Sequence, residues 1–211
     1  MELKTIQKPS AGSYKEKGSR FLAFLEPVST LDQSQLWIAS LRKEYYDARH
    51  VCSAVRLGET GEITKVSDDG EPAHSAGDPI LRVLKSEQLT MAAIAVVRYF
   101  GGIKLGVGGL IHAYESAAKD AVLQNSSIQP FIPMNLLTLE YDYDQTSQVQ
   151  QLLKKFPDLA LIHGDFQIKC FQKFCFPKNI TNELQQWLSS GFLNWTIESY
   201  DWKVNPHFIK T

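Results

Sequence analysis

Glycines and two cations are concentrated between residues 98 and 109, in a pattern that could bind an anion. Arg98 precedes the glycine segment Gly101–Gly109, and Lys104 lies inside it. An uninterrupted apolar run, Ala92 to Val97, leads into the segment and predicts a strand that is buried on both faces. Small and apolar residues at helical spacing follow, and they predict a helix from about Leu110 to Leu123. A strand, a glycine loop and a helix in this order can present backbone N–H groups to a negative group.

The two cations strengthen this interpretation. Arg98 could clamp a phosphate or carboxylate with two hydrogen bonds, and Lys104 could act as a point charge. The predicted anion-binding residues are Arg98, Lys104, Gly102, Gly106, Gly108 and Gly109. The alternative is that the glycines only permit a tight turn with positive φ. The segment is not a Walker motif, because Val107 and Gly108 stand where that motif requires lysine and serine or threonine, and its glycines are wrongly spaced for the dinucleotide fingerprint.

Three acids lie in a stretch rich in turn-forming residues: Asp68, Asp69 and Glu71. They could bind a hard cation, supply a general base, or pair with Arg98 and Lys104. Charges of this kind commonly stay solvated or form internal salt bridges. We therefore predict a solvated acidic turn or an internal salt-bridge partner rather than a metal site.

Histidines and cysteines do not have the spacing of a metal site. His50 and Cys52 share one strand face by alternation, and His74 and His112 could join them, but no HxxxH or CxxC spacing is present. No GxSxG or other triad signature appears either. We predict no catalytic residue, no metal and no cofactor, although catalytic activity stays an open question. Asp78 followed by Pro79 predicts the start of a helix.

Composition narrows the class of protein. The chain has 211 residues, 44% of them hydrophobic, and a net charge of −1, so bulk attraction to nucleic acid or to anionic membrane is excluded and binding needs a local patch. Its three cysteines are an odd number, which indicates reduced thiols in a cytoplasmic protein. The polar N-terminal segment is not a secretory signal, and no apolar run approaches the roughly 20 residues that span a bilayer. We expect a cytoplasmic protein with no membrane partner.

The second half of the chain predicts a separate domain. Its elements follow the order β-α-β-β-α-β, which is typical of the ferredoxin-like fold. His163–Asp165 is expected to be a turn that leads into a strand from Phe166 to Phe176. Alternation sends Ile168, Cys170, Phe174 and Phe176 to the core, and Lys169, Phe171 and Lys173 to the other face. Aromatics with lysines on a sheet can stack bases, although the RNP1 pattern is absent.

The domain boundaries follow from these patterns. Residues 1–128 form the first domain, a two-layer α+β sandwich, because a hairpin and short elements argue against a doubly wound sheet. Residues 129–134 form a linker with Pro130 and Pro133, and residues 135–211 form the second domain.

Three stretches resemble the IMPACT/YigZ family of translation-associated proteins. They are Ala48–Cys52, Asp68–Pro72 with Ala76–Ile80, and Val97–Leu110. The last is long and unusual, and the resemblance covers about residues 18 to 125. The remainder is similar to the C-terminal domain that bacterial members add.

The resemblance implies a ribosomal-protein-S5-domain-2-like first domain and a ferredoxin-like second domain, a tandem similar to the last two domains of elongation factor G. It implies a non-enzymatic protein that binds RNA or the ribosome and regulates translation under stress. Many relatives have Gly-Thr in place of His74–Ser75 and arginine in place of His112. Residues that could support the site are Asp69, Glu71, His74, Tyr99, His112, Lys169 and Lys173.

Two other functions stay open. An enzyme could use the Gly101–Gly109 loop for a phosphorylated substrate or nucleotide, with Asp69 or Glu71 as metal ligand or base. A protein-interaction module could use Tyr99 and Phe100 as an aromatic anchor.

Overall fold

The computed structural model describes residues 3–191 and 193–199, which divide into two compact units between Phe131 and Ile132. The first unit contains β1 (Lys4–Ile6), β2 (Ser10–Glu16), β3 (Ser19–Pro27), α1 (Leu31–Glu44), β4 (His50–Leu57), β5 (Ile63–Ser67), α2 (Gly77–Ser86), β6 (Ala92–Tyr99), α3 (Gly106–Leu123) and β7 (Ile128–Pro130). The second contains β8 (Met134–Tyr141), α4 (Thr146–Lys155), β9 (Ala160–Phe166), β10 (Cys170–Pro177), α5 (Thr181–Ser189) and β11 (Asn194–Ser199).

Strand β6 is the centre of the first unit. The five-stranded antiparallel sheet has the order β2-β3-β6-β4-β5. Every residue from Ala92 to Val97 is fully buried, which confirms the prediction of a strand covered on both faces. Ile94 and Val96 pack with helices α2 and α3, whereas Ala95 and Val97 pack on the opposite face.

Helix α1 adds a third layer to the predicted two-layer sandwich. Trp37, Ile38 and Leu41 of this helix pack in the same cluster as Ala95 and Val97 of β6. The fold is mixed α and β as predicted, but both faces of this sheet are covered by helices.

Part of the predicted linker is a strand. Residues Ile128–Pro130 of β7 pair with Lys4–Ile6 of β1 in a separate two-stranded sheet. Phe131, which follows, is buried in the first unit. The linker prediction for residues 129–134 is therefore wrong for its first half, because the prolines that suggested a flexible segment are compatible with an edge strand.

The second unit is ferredoxin-like. Its antiparallel sheet has the order β11-β8-β10-β9, and α4 and α5 pack on one face through Leu152 and Leu184. Phe174 and Phe176 are buried there as predicted. The predicted end of this domain, beyond Ser199, lies outside the described residues.

The hairpin between β9 and β10 differs from the prediction. His163–Asp165 lies inside β9, and the connection is residues 167–169. Ile168 is therefore not a core residue but is 93% exposed. The turn-forming residues misled the prediction, because the pairing of Gly164 with Gln172 keeps the glycine in the ladder.

No helix in the part of the chain that the structure describes is long and apolar enough to cross a membrane.

All three cysteines are free and buried, and this has a chemical consequence. Burial raises the pKa of the Cys52 thiol to about 12 and that of the Cys175 thiol to about 11. Only a thiolate is a good nucleophile. Cys52 is thus a structural thiol and has no environment that would activate it.

We predict that the native protein does not react rapidly with a thiol reagent such as 5,5′-dithiobis(2-nitrobenzoate) at neutral pH. All three thiols should react once the chain is unfolded in denaturant. A fast-reacting equivalent in the native protein, lost in Cys52→Ala, would contradict the assignment of Cys52 as a buried, protonated thiol.

Candidate functional site

Arg98 is buried in an ion pair and is not a surface cation. It lies next to the last residue of β6, is 5% exposed, and donates from Nη1 to Oε1 of Glu71 at 2.5 Å. The Glu71 side chain is itself only 4% exposed. The guanidinium also lies 5.5 Å from the ring centre of Phe21 and 5.6 Å from that of Phe100. Since Glu71 already neutralises its charge, the predicted role of Arg98 as an anion ligand is corrected to that of a structural cation.

Glu71 collects further partners. Tyr114 of α3 donates its hydroxyl to the same oxygen, Oε1, at 2.8 Å, and His50 Nε2 lies 3.9 Å from it. The Cys52 thiol lies 3.3 Å from the Tyr114 hydroxyl. We call Glu71, Arg98, Tyr114, His50 and Cys52 the Glu71 cluster. It joins strands β4 and β6, helix α3 and the acidic turn, residues 68–76.

Tyr114 is the member of the cluster that sequence analysis missed as a functional residue. Its helical spacing identified it as a core residue, and it is fully buried. The signal was its hydroxyl group, because a buried tyrosine oxygen needs a hydrogen-bond partner.

The other two acids hold the acidic turn in place. Asp68 accepts hydrogen bonds from the backbone N–H groups of His74, Ala76 and Gly77 at 2.9, 3.0 and 2.9 Å. Burial alone would raise the pKa of Asp68, but these donors outweigh it and lower the pKa. Helix α2 thus begins at Gly77 under a cap supplied by Asp68, and the predicted N-cap at Asp78, with Pro79 as the first helical residue, lies two residues too late.

Asp69 is engaged on the other side of the turn. Its carboxylate accepts from the backbone N–H of Val51 at 2.7 Å and forms an ion pair with Arg42. Its backbone carbonyl accepts from Nδ1 of His50 at 2.7 Å. Asp69 and Glu71 therefore already serve internal bonds, Asp69 through Oδ2 and Glu71 through Oε1.

The glycine segment contains the start of a helix. Helix α3 begins at Gly106, four residues earlier than predicted, so Gly106, Gly108 and Gly109 lie in its first turn. Gly102 has φ +87° and Gly106 has φ +71°. These two glycines are explained by backbone conformations that other residues adopt only with strain.

Gly108 is not explained in this way. Its φ is not positive, and a Cβ atom added there would have no neighbour within 4 Å. Glycine costs roughly 0.5–1 kcal/mol relative to alanine inside a helix. Neither backbone geometry nor packing within the described residues accounts for it.

The start of α3 is open to solvent. Leu105 occupies the N-cap position and its side chain cannot accept a hydrogen bond, so the first-turn N–H groups have no side-chain cap. Lys104 is exposed and forms no ion pair within residues 3–191 and 193–199. The exposed apolar side chains of Phe100, Ile103 and Val107 lie in the same segment. We call residues 100–109 the α3 entry segment.

The remaining predicted residues lie elsewhere or are already engaged. Tyr99 donates its hydroxyl to Asp47 at 2.9 Å. His74, at φ +64°, contacts Asp78, and His112 packs edge-on against Tyr14. In the second unit Lys169 pairs with Glu140 at 3.0 Å, whereas Lys173 has no ion pair among the residues described. The predicted anion site therefore reduces to Lys104 and the glycines of the α3 entry segment.

The buried ion pair predicts a large effect of Arg98→Ala on stability. Removing one partner of a buried pair leaves an uncompensated charge, so the free energy of unfolding should fall by about 3–5 kcal/mol. Arg98→Met keeps much of the buried alkyl stem and should recover little of this loss. Urea denaturation measures it, with Lys104→Ala as the control at less than about 0.5 kcal/mol. Equal losses in Arg98→Ala and Lys104→Ala would contradict the buried pair.

His50 predicts a pH dependence of stability. Burial is the main cause that lowers the pKa of His50, and Arg98, Arg49 and Arg42 lower it further against the attraction of Glu71. As the pH falls through the ordinary histidine pKa of about 6.5, the unfolded chain gains a proton that the folded chain resists. Stability should therefore fall between pH 7 and about 5, with a slope below the one-proton limit of about 1.4 kcal/mol per pH unit. Denaturation of His50→Gln over this range should give a shallower slope, and an unchanged slope would refute the assignment.

Several known proteins are similar to this chain in sequence and in fold. The Impact N-terminal domain model matches residues 17–122. IMPACT family member YvyE of Bacillus subtilis is 35% identical over 172 residues, which cover 81% of this chain and 78% of that protein. A crystal structure described as that of a hypothetical protein has a TM-score of 0.66 at 31% identity and covers 95% of this chain and 98% of the other. The solved two-domain translational regulator Yih1 is 25% identical over 56% of this chain and 47% of its own, with a TM-score of 0.37. The chain belongs to the IMPACT family.

Proposed function

We propose that this chain is a non-enzymatic, cytoplasmic, translation-associated protein that binds RNA or the ribosome through the start of α3. One observation carries the proposal: the first turn of α3 is uncapped, contains three glycines and follows an exposed, unpaired lysine. Yih1 is described as a translational regulator. Membership of the IMPACT family supports the proposal alongside the α3 entry segment.

The electrostatics of the segment favour a phosphate. A helix N-terminus carries roughly half a positive charge and presents unsatisfied N–H groups. Lys104 adds a full charge beside it, and no acidic residue occurs in the sequence from Tyr99 to Tyr114. Because the whole chain has a net charge of −1, a local patch of this kind is what RNA binding would require.

Gly108 supports the same role. The absence of a side chain lets a large ligand approach the backbone closely, and the open space around Gly108 fits such an approach. Access of a ligand to the backbone N–H groups would then explain why a residue that lowers helix stability occupies this position.

The contacts of the acidic residues argue against an enzyme, whereas exposed apolar residues favour a protein-interaction module. An enzyme would need Asp69 or Glu71 as a base or metal ligand, and both carboxylates are held by Arg42, Val51, Arg98 and Tyr114. A protein-interaction module keeps one specific observation in its favour, the exposure of Phe100, Ile103 and Val107 around Lys104. Tyr99 does not belong to this anchor, because its hydroxyl is bound to Asp47.

We expect Lys104→Ala and Gly108→Ala to weaken binding for different reasons. Lys104→Ala should make the slope of log K against log salt concentration shallower by about one, because one positive charge that meets a phosphate is removed. Gly108→Ala should weaken binding by steric hindrance while raising the free energy of unfolding by roughly 0.5–1 kcal/mol. Fluorescence anisotropy with a labelled RNA hairpin, and sedimentation with purified bacterial ribosomes, measure the two effects. Lys65→Ala, at an exposed lysine of β5, is the matched charge control.

The result that would overturn the proposal is equally specific. If wild type, Lys104→Ala and Lys65→Ala bind both probes with the same affinity and the same salt slope, the α3 entry segment is not the contact. If only Gly108→Ala weakens binding and salt has no effect, the segment binds a protein rather than phosphates.

A further inference from the structure

The end of the second unit where β9 turns into β10 carries exposed apolar side chains. Ile168 is 93% exposed, Phe166 is 54% exposed and Tyr143 is 56% exposed. We call these three residues the hairpin surface. They contribute little to the core beneath them, since none belongs to the buried cluster of this unit.

The three side chains form one surface and not scattered positions. Tyr143 donates its hydroxyl to the backbone carbonyl of Phe166 at 2.9 Å, which ties the segment after β8 to the end of β9. Ile168 lies two residues after Phe166, in the three-residue connection between Phe166 and Cys170, which pair across the hairpin. Two residues span at most about 7 Å of extended chain, so Phe166 and Ile168 are close along the backbone, and the Tyr143 hydrogen bond brings that residue to the same end of the second unit.

Acidic residues flank the members of this apolar surface in the sequence. Residues 140–144 and 165–169 contain four carboxylates, Glu140, Asp142, Asp144 and Asp165, and one cation, Lys169. Lys169 forms an ion pair with Glu140, to which its ammonium group donates a hydrogen bond at 3.0 Å. The three aspartates are exposed and form no ion pair within residues 3–191 and 193–199, although Asp142 lies near enough to Lys169 to help Glu140 raise the pKa of that lysine.

We propose that the hairpin surface docks a basic, apolar segment of a protein partner. Exposed aromatic and branched side chains supply the kind of anchor that protein interfaces bury. The acidic rim selects lysine or arginine residues on the partner and repels a phosphate backbone. The sign of the charge therefore assigns this end of the second unit to protein and not to RNA, and it replaces the expectation that Lys169 helps to bind nucleic acid. The inference is independent of the proposed contact at α3.

Titration of the full-length, isotope-labelled chain by NMR tests this proposal. The probes are a short peptide of alternating arginine and leucine pairs, the same peptide with glutamate in place of arginine, and a single-stranded RNA of similar length. We expect the basic peptide alone to shift the amide resonances of residues 142–144 and 165–169. Its binding should weaken with salt, because the rim contributes charge.

Variants with matched controls make the test specific. The double substitution Phe166→Ser and Ile168→Ser should reduce the affinity for the basic peptide about tenfold and leave the unfolding transition unchanged. Asp144→Asn with Asp165→Asn should weaken binding and flatten its salt dependence. Two control variants should change neither the affinity for the basic peptide nor its salt dependence. They are Leu123→Ser, at an exposed leucine of the first unit, and Asp32→Asn, at an exposed acid of α1.

Three outcomes would overturn the proposal. The RNA could shift the same resonances, which would make nucleic acid the occupant. The resonances could shift with protein concentration in the absence of peptide, which would identify a second copy of the chain. The controls could weaken peptide binding as much as the hairpin variants do, which would show that the peptide binds without using this surface.

Discussion

The first unit depends on one buried ion pair, between Arg98 at the end of the central strand and Glu71 in the acidic turn. A buried pair of this kind adds little net stability compared with apolar residues, but it is costly to break. The main effect of the pair is therefore to hold the acidic turn and the elements bound to it in place. Glu71 fixes a turn whose neighbouring Asp68 starts α2, and the hydroxyl of Tyr114 ties α3 to the same carboxylate. The path of the chain into the α3 entry segment follows from this arrangement.

Much of the fold could be predicted from the sequence because it rests on local patterns. The apolar run Ala92–Val97 specifies a buried central strand, and the alternation of strands and helices after residue 134 specifies the ferredoxin-like order. The errors arose where local residue types conflicted with pairing. His163–Asp165 looks like a turn but lies in β9, and glycine, a poor helix former, concealed that α3 starts at Gly106.

The site was harder to predict because its partners are distant in sequence. Arg98 next to a glycine loop looked like a free cation, and pairing with Arg98 was only one of three roles that the sequence left open for Glu71, 27 residues earlier. Lys104 and the glycines could be singled out together because they follow one another in the sequence. Charge is also distributed in a way that the net value of −1 hides: the α3 entry segment is positive, whereas the rim of the hairpin surface is negative.

Helix α1 completes the enclosure of the first sheet and so limits how any other molecule can reach it. With helices over both faces, the ladder itself is accessible only along its two outermost strands, β2 and β5. Strand β5 is five residues long, is exposed throughout and carries Lys65 at its centre. Shortness and a lysine are features that discourage a foreign strand from extending a sheet. At the β5 edge, strand addition is thereby discouraged, and a partner is directed toward the loops that end this strand.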